Sequence, residues 1–423
     1  MSKICVIDDR FETPAPPFLQ EAFEELGHRV VTVYASTQPR SKLQQELENC
    51  GADLFVAIQT VGFLCGDILS SPQLSRIKKA ILCYDDPMGS FLLFGRNHPL
   101  MEDGGTKHST RFFIWDGYWR KKMESEAGWK CAPTHLAAET KRFSPGKKDL
   151  IPEVRHCVVF LGNIPGLSHL EAIEKDLPHA YRRAIASVCE KICDGPYGLN
   201  PFEALEAALN GLPASDREQI AGETEACLNQ AHDFSKPLAS HIQLRRLAWQ
   251  HGKRETRLRA MRGAARVAPL AILSDLKDQF AAGKDELGNE LRGCGAKEPL
   301  FVDTSSASYY QLAHLYASGL LHLQSTDPQS VEGGIPYRVF QSAACGVPLL
   351  SDYKKELVEC FTPGDEILIY RDDRDLSETL QKAISNPKRS KEVGRAAYER
   401  FLKEHTWTHR MRRLVDIMSR DDS

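Results

Sequence analysis

One stretch of the chain combines residue types that anion chemistry needs: Glu332-Gly333-Gly334-Ile335-Pro336-Tyr337-Arg338-Val339-Phe340-Gln341. Two glycines lead into a helix expected to start near Pro336, a favoured first-turn residue, and Gly346 is placed to cap its far end. Val339, Phe340, Ala343 and Ala344 supply its buried face. The loop before such a helix can turn free N–H groups toward an anion. Arg338 sits in the first turn, where the helix dipole disfavours a cation, and a bound phosphate would relieve that conflict. The bland alternative is an ordinary helix with a solvated arginine.

Other candidates follow strand-like runs. Asp85 and Asp86 come after Ala80-Ile81-Leu82-Cys83-Tyr84 and would face a cleft, as acceptor contacts or a catalytic base; a helix N-cap or turn pair is the competing reading. Asp8-Asp9-Arg10 has a similar placement. Gly162-Asn163 would bring backbone N–H groups near a diphosphate, or form a plain turn. Asp372-Asp373-Arg374-Asp375 has the spacing of a metal-binding D-x-D but is read as a solvated loop capping the next helix. Between His241 and Arg266 lie Arg245, Arg246, Lys253, Arg254, Arg257, Arg259, Arg262 and Arg266 against a single Glu255: a solvated helix face, or a docking surface for an acidic acceptor or partner. No P-loop, G-x-G-x-x-G, H-E-x-x-H or G-x-S-x-G occurs, which argues against kinase, dehydrogenase, metalloprotease and esterase readings.

These residues need positioning elements, and the apolar pattern supplies them. Over residues 1–150, strand-like runs (4–7, 29–34, 53–58, 80–84, 112–115) alternate with helical segments. Continuous apolar strands separated by helices predict a parallel sheet covered on both faces. A polar stretch from Arg142 to Lys148 is the best linker, and the pattern restarts at His156–Leu161. An all-α insertion follows at about 168–265, then strands at 270–273, 300–302, 319–323, 348–350 and 366–370. The expectation is α/β: two Rossmann-like doubly wound domains, residues 1–150 and 151–404, with residues 405–423 a helix crossing back to the first domain. Ligands of open α/β sheets bind at the carboxyl ends of the strands, here the cleft between the domains.

Composition narrows the field. The chain has 423 residues, net charge −3 from 54 basic and 57 acidic residues, and so no general attraction to nucleic acid. No apolar run is long enough to span a bilayer. The N-terminus enters a strand-like run with no signal-peptide pattern. Twelve scattered cysteines without a C-x-x-C pair indicate buried thiols and disfavour a zinc site. A cytoplasmic location is expected.

The segment 332–348 resembles the donor-binding motif of two-domain glycosyltransferases of the GT-B type. More specifically, the chain resembles the CgeB-like (spore maturation protein type) glycosyltransferases, at 310–318, 338–346, 361–367 and 404–410, and in the first half at Tyr84-Asp85-Asp86-Pro87 and 136–145. The family usually has a glutamate where this chain has Gln341, and Glu332 lies one position further from it than the usual spacing. The resemblance implies transfer of a sugar from a nucleotide-sugar donor to a protein, glycan or small-molecule acceptor, with no cofactor or essential metal. It implies Arg338, Asp85 and Asp86 as catalytic residues. It implies Gly162, Asn163, Ser325, Glu332, Gly333, Gly334, Tyr337, Arg338 and Gln341 as donor contacts. Alternatives are a sugar-nucleotide epimerase on the same fold and a degenerate, non-catalytic binding protein.

Overall fold

The computed structural model describes residues 2–8, 15–95, 97–100, 109–146, 151–229, 238–275, 278–292, 299–305 and 311–420. Asp9, Arg10, Lys147, Lys148 and Tyr310 lie outside the described residues.

Two six-stranded parallel sheets form, as the apolar runs predict. The first takes β1 (Lys3–Asp8), β2 (Arg29–Tyr34), β3 (Leu54–Ile58), β4 (Lys78–Cys83), β5 (Thr110–Ile114) and β6 (Cys131–Pro133), in the order β2-β1-β3-β4-β5-β6. The second takes β7 (Val158–Leu161), β8 (Leu270–Ser274), β9 (Leu300–Asp303), β10 (Leu321–Gln324), β11 (Leu349–Asp352) and β12 (Leu368–Tyr370), in the order β12-β11-β10-β7-β8-β9. The central strands β1, β3, β4 and β8 are buried along nearly their whole length, as strands covered by helices on both faces must be.

Between β7 and β8 lie the helices Leu167–Lys175, His179–Asp194, Pro201–Asn210, Ala214–Leu228 and Ser240–Val267. The first two break at Asp176-Leu177-Pro178, where the proline forces a new helix start. The final helix, Trp407–Arg420, packs on the helix Ala15–Glu25 of the first domain. Trp407 Nε1 donates to Glu139, Arg410 Nε to the Leu136 carbonyl, and Lys78 Nζ to the Met418 carbonyl at 2.5 Å. One apolar cluster runs without a gap from β1 through Trp407 to Val339 and Phe340, so the domains share a core. No helix among the described residues is long and apolar enough to cross a membrane.

Candidate active site

A cavity of about 580 Å³ lies where the carboxyl ends of both sheets meet. Tyr84 and Asp85 follow β4, Trp115 follows β5, Gly162 and Asn163 follow β7, Asp275 follows β8, and Thr304 follows β9; all line it. The chain crossing at each strand end delivers these residues without any long-range sequence signal.

Three cations converge on the cavity. Arg338 comes from the helix Tyr337–Ala344, and Lys253 and Arg257 from one face of the long helix Ser240–Val267. Asp327 binds two of them: Lys253 Nζ is 3.2 Å and an Arg257 terminal nitrogen 3.7 Å from its Oδ2, while Trp249 Nε1 donates to Oδ1. Burial alone would raise the Asp327 carboxyl, but Lys253 and Arg257 outweigh it and hold it below the ordinary value. Burial lowers Lys253, and lowers Arg257 to about 10, so the guanidinium stays charged at neutral pH. Arg257 also donates to the Asn163 carbonyl, and its buried Nε–H has no partner among the described residues. Arg338 lies against Gly162: a Cβ on that glycine (φ +148°) would come within 3.2 Å of the guanidinium. Glycine is thus favoured there by the backbone angle, and a side chain would press on the guanidinium.

The remaining groups order the cavity. At one end, Tyr316 OH donates to Gln341 Oε1 at 2.8 Å, both side chains buried. At the other, Asp85 opens onto the cavity and accepts from Gln329 Nε2 at 3.2 Å. The surrounding protein raises the Asp85 carboxyl, with the charges of Asp327 and Asp86 adding to the effect.

Of the residues singled out by sequence, Asp85, Gly162, Asn163, Tyr337, Arg338 and Gln341 line this cavity. The others require correction. Asp86 is committed elsewhere: Oδ1 caps the helix Pro87–Phe94 by accepting from Met88 N, and Oδ2 pairs with Arg245 Nε at 2.7 Å. Ser325 is buried and is not part of the cavity lining. Gly162 N–H is consumed by the Leu273 carbonyl, and the Asn163 side chain by Ser274, Asp275 and Asp278, so this turn sets shape rather than offering those donors.

The glycine loop does bind an anion, but an internal one. Asp116 Oδ2 accepts from the N–H groups of Glu332, Gly333 and Gly334 at 3.0, 2.9 and 2.9 Å, while its Oδ1 caps the helix Gly117–Ala127 at Tyr118 and Trp119. A Cβ on Gly333 would overlap Glu356, and one on Gly334 would meet Trp115 at 2.9 Å. The glycines therefore serve close approach of the domains. Glu332 faces outward to Lys121 at 2.8 Å, away from the cavity.

The basic run of the long helix is neither a solvated face nor a free docking surface. Arg245 pairs with Asp86 and lies 4.0 Å over Phe202; Arg254 pairs with Glu286 and Glu290, Arg259 with Asp373, Arg262 with Glu290 and Glu255. Asp372 is a helix cap for Asp375 N, as the loop reading holds. Among the described residues no group of His, Cys, Asp or Glu is arranged to hold a metal ion. Sequence reasoning named Lys253 and Arg257 only within the basic run and missed Asp327, Gln329 and Asp116. The four-residue spacing of Lys253 and Arg257 on one helix face was the readable signal that the two act together.

Residues 284–416 match a family model described as glycosyl transferase-like. No curated protein sequence matches the chain. Among solved structures it is similar to sucrose-phosphate synthase from Thermosynechococcus elongatus, with TM-score 0.54 and 11% identity over 99% of each chain. It is also similar to HepE of Anabaena in complex with UDP and glucose, with TM-score 0.53 and 10% identity over 99% of this chain and 100% of that one. A glycosyltransferase from Rickettsia africae gives TM-score 0.54 and 7% identity over 99% and 98%. The whole chain has the GT-B fold of two Rossmann-like domains, and its part from 284 to 416 carries a glycosyl transferase-like sequence.

Proposed function

We propose that the protein is a glycosyltransferase that takes a nucleotide sugar as donor and passes the sugar to an acceptor bound on the first domain. The observation that carries this reading is the convergence of Arg338, Arg257 and Lys253 on one interdomain cavity. Three cations, of which only two are paired with a described carboxylate, both with Asp327, suit a diphosphate. The glycosyl transferase-like match over 284–416 and the UDP and glucose bound by HepE support it.

In this reading the nucleoside lies toward Gln341 and Tyr316, and the diphosphate lies at the cations. The sugar and acceptor lie toward Asp85. Breaking the anomeric C–O bond leaves negative charge on the diphosphate, and cations already fixed in the cleft stabilise it as it forms. Asp85 accepts the proton of the incoming hydroxyl; its raised affinity for a proton suits that role. The side chains thereby supply the charge that a metal would otherwise provide. On the CgeB-like resemblance the acceptor is a protein, a glycan or a small molecule, and the eleven cysteines among the described residues that form no disulfide fit a reducing cytoplasm.

Calorimetric titration with UDP, GDP, dTDP and ADP, each with and without EDTA, tests the reading. One of them is expected to bind irrespective of EDTA. Absence of binding by all four would overturn the assignment, and binding abolished by EDTA would overturn its metal independence.

A further inference from the structure

Gln329, in the loop after β10, is buried and makes four hydrogen bonds, three of which cross to the first domain. Its Nε2 donates to Asp85 Oδ1 at 3.2 Å, its Oε1 accepts from Asp86 N at 3.2 Å, and its backbone carbonyl accepts from Trp119 Nε1 at 2.6 Å. The fourth, from its own N–H to Asp327 Oδ1 at 3.3 Å, ties it to the carboxylate that holds Lys253 and Arg257. One side chain thus reads the position of the Asp85–Asp86 turn and, through its backbone, the position of the cation cluster.

We propose that Gln329 is a positioning residue that orients Asp85 toward the cavity only when the two domains are docked, so that cleft closure and proton acceptance are coupled. The proposal rests on Asp85 being the proton acceptor. The groups facing Asp85 explain why an amide is suited to the task. Asp327 and Asp86 repel its negative charge, Lys253 attracts it, and Arg245 lies beyond, on Asp86. Gln329, Asp327 and Lys253 all belong to the second domain and leave Asp85 together when the cleft opens. The amide supplies a donor to Asp85 and an acceptor to Asp86 N in one planar group. Asp85, exposed on its cavity side, is then held by the amide donor in the closed cleft and loses that donor in the open one.

The test follows the Asp85 carboxyl itself, with no substrate present. Infrared spectra of 13C-aspartate-labelled protein are recorded across pH, and the Asp85 band is identified by its absence in Asp85→Asn. Gln329→Leu removes the donor; Gln329→Glu keeps the acceptor for Asp86 N and places a third carboxylate beside Asp85. Both substitutions should move the Asp85 titration upward by about one pH unit, the scale of one hydrogen bond to a charged group. Both leave the Trp119 bond to the backbone in place, and the isosteric glutamate keeps the test usable if the leucine variant does not fold. An Asp85 titration unmoved in the folded variants overturns the positioning role. UDP titration of the same proteins separates the two ideas: affinity should stay within about twofold, because neither substitution removes a cavity cation and the Gln329 backbone bond to Asp327 is kept. An unmoved titration with intact UDP binding removes Gln329 alone, whereas failure of the wild-type protein to bind any nucleoside diphosphate removes the function on which it rests.

Discussion

Arg338 differs from the other two cavity cations in having no hydrogen bond or ion pair with a described residue, while Lys253 and Arg257 share Asp327. Its removal leaves no partner behind. Arg338→Ala should therefore leave thermal stability nearly unchanged and weaken nucleoside diphosphate binding by about 1.5–3 kcal/mol. Turnover should fall by roughly 10²–10³. An unfolded variant, or one with undiminished affinity, would make the arginine structural. Asp85 gives the complementary case. Its folded pKa is raised above the unfolded value, so the native state holds its proton more tightly. Between those two values stability falls as pH rises, and above them the cost is complete. Asp85→Asn should melt at a higher temperature than the wild type at pH 7, with the difference closing as pH falls below 3.8, while transfer activity is lost. Melting curves at the two pH values check the first part, and release of nucleoside diphosphate from the donor checks the second.

At the level of elements, the long helix Ser240–Val267 shows what sequence could and could not convey. Its basic residues were visible, but their surroundings were not. The helix is buried on most sides, so polarity does not mark an outward face. The acids that neutralise it come from distant segments: Asp86, Glu286, Glu290, Asp327 and Asp373. Such pairings carry no periodicity. The strands were legible because doubly buried parallel strands are continuous apolar runs; β6 was not, being three residues long and at a sheet edge with Pro133 in it. The glycine loop was legible as an anion site, but the identity of the anion was hidden. Asp116 follows β5 just as Asp85 and Asp86 follow β4, and only the folded chain shows which loop each one meets. The helix also sets a test opposite to that of Arg338. Arg257→Met leaves Asp327 paired with Lys253 alone among the described residues and removes a charged donor from the Asn163 carbonyl, a loss of about 1.5–3 kcal/mol. Stability measured by urea unfolding should fall together with nucleoside diphosphate affinity. A stable variant with weakened binding would show that Arg257 is held for the ligand alone.

Across the whole molecule, the domains are joined by a shared apolar core and by a carboxylate cluster around Gly117. A Cβ at Gly117 would come within 2.7 Å of both Glu332 and Glu356, and Asp116 is adjacent. Glu356, from the second domain, accepts from Gly117 N at 2.9 Å. Burial and then the charge of Asp116 push its carboxyl up to about 7, against the opposing pull of Arg120. His135 Nδ1 stands 3.7 Å from Glu356 Oε2, but burial and Arg410 lower that imidazole to about 3. Between about pH 3 and 7 the contact is therefore a carboxylic acid against a neutral imidazole rather than an ion pair. The sign of the pH dependence follows. With the folded pKa of Glu356 above its ordinary 4.5, its contribution to stability is fully present below pH 4.5 and is lost as pH rises through about 7. At 1.36 kcal/mol per unit the loss reaches at most about 3 kcal/mol. Glu356→Gln keeps an oxygen for Gly117 N and cannot ionise. It should match the wild type at pH 4.5 and melt at a clearly higher temperature at pH 8. Small-angle scattering at pH 8 should show the wild type more open than the variant, because the charge repelled by Asp116 sits on the opposite domain. Equal melting at both pH values would mean that Glu356 is ionised throughout and that the domains stay closed against the repulsion.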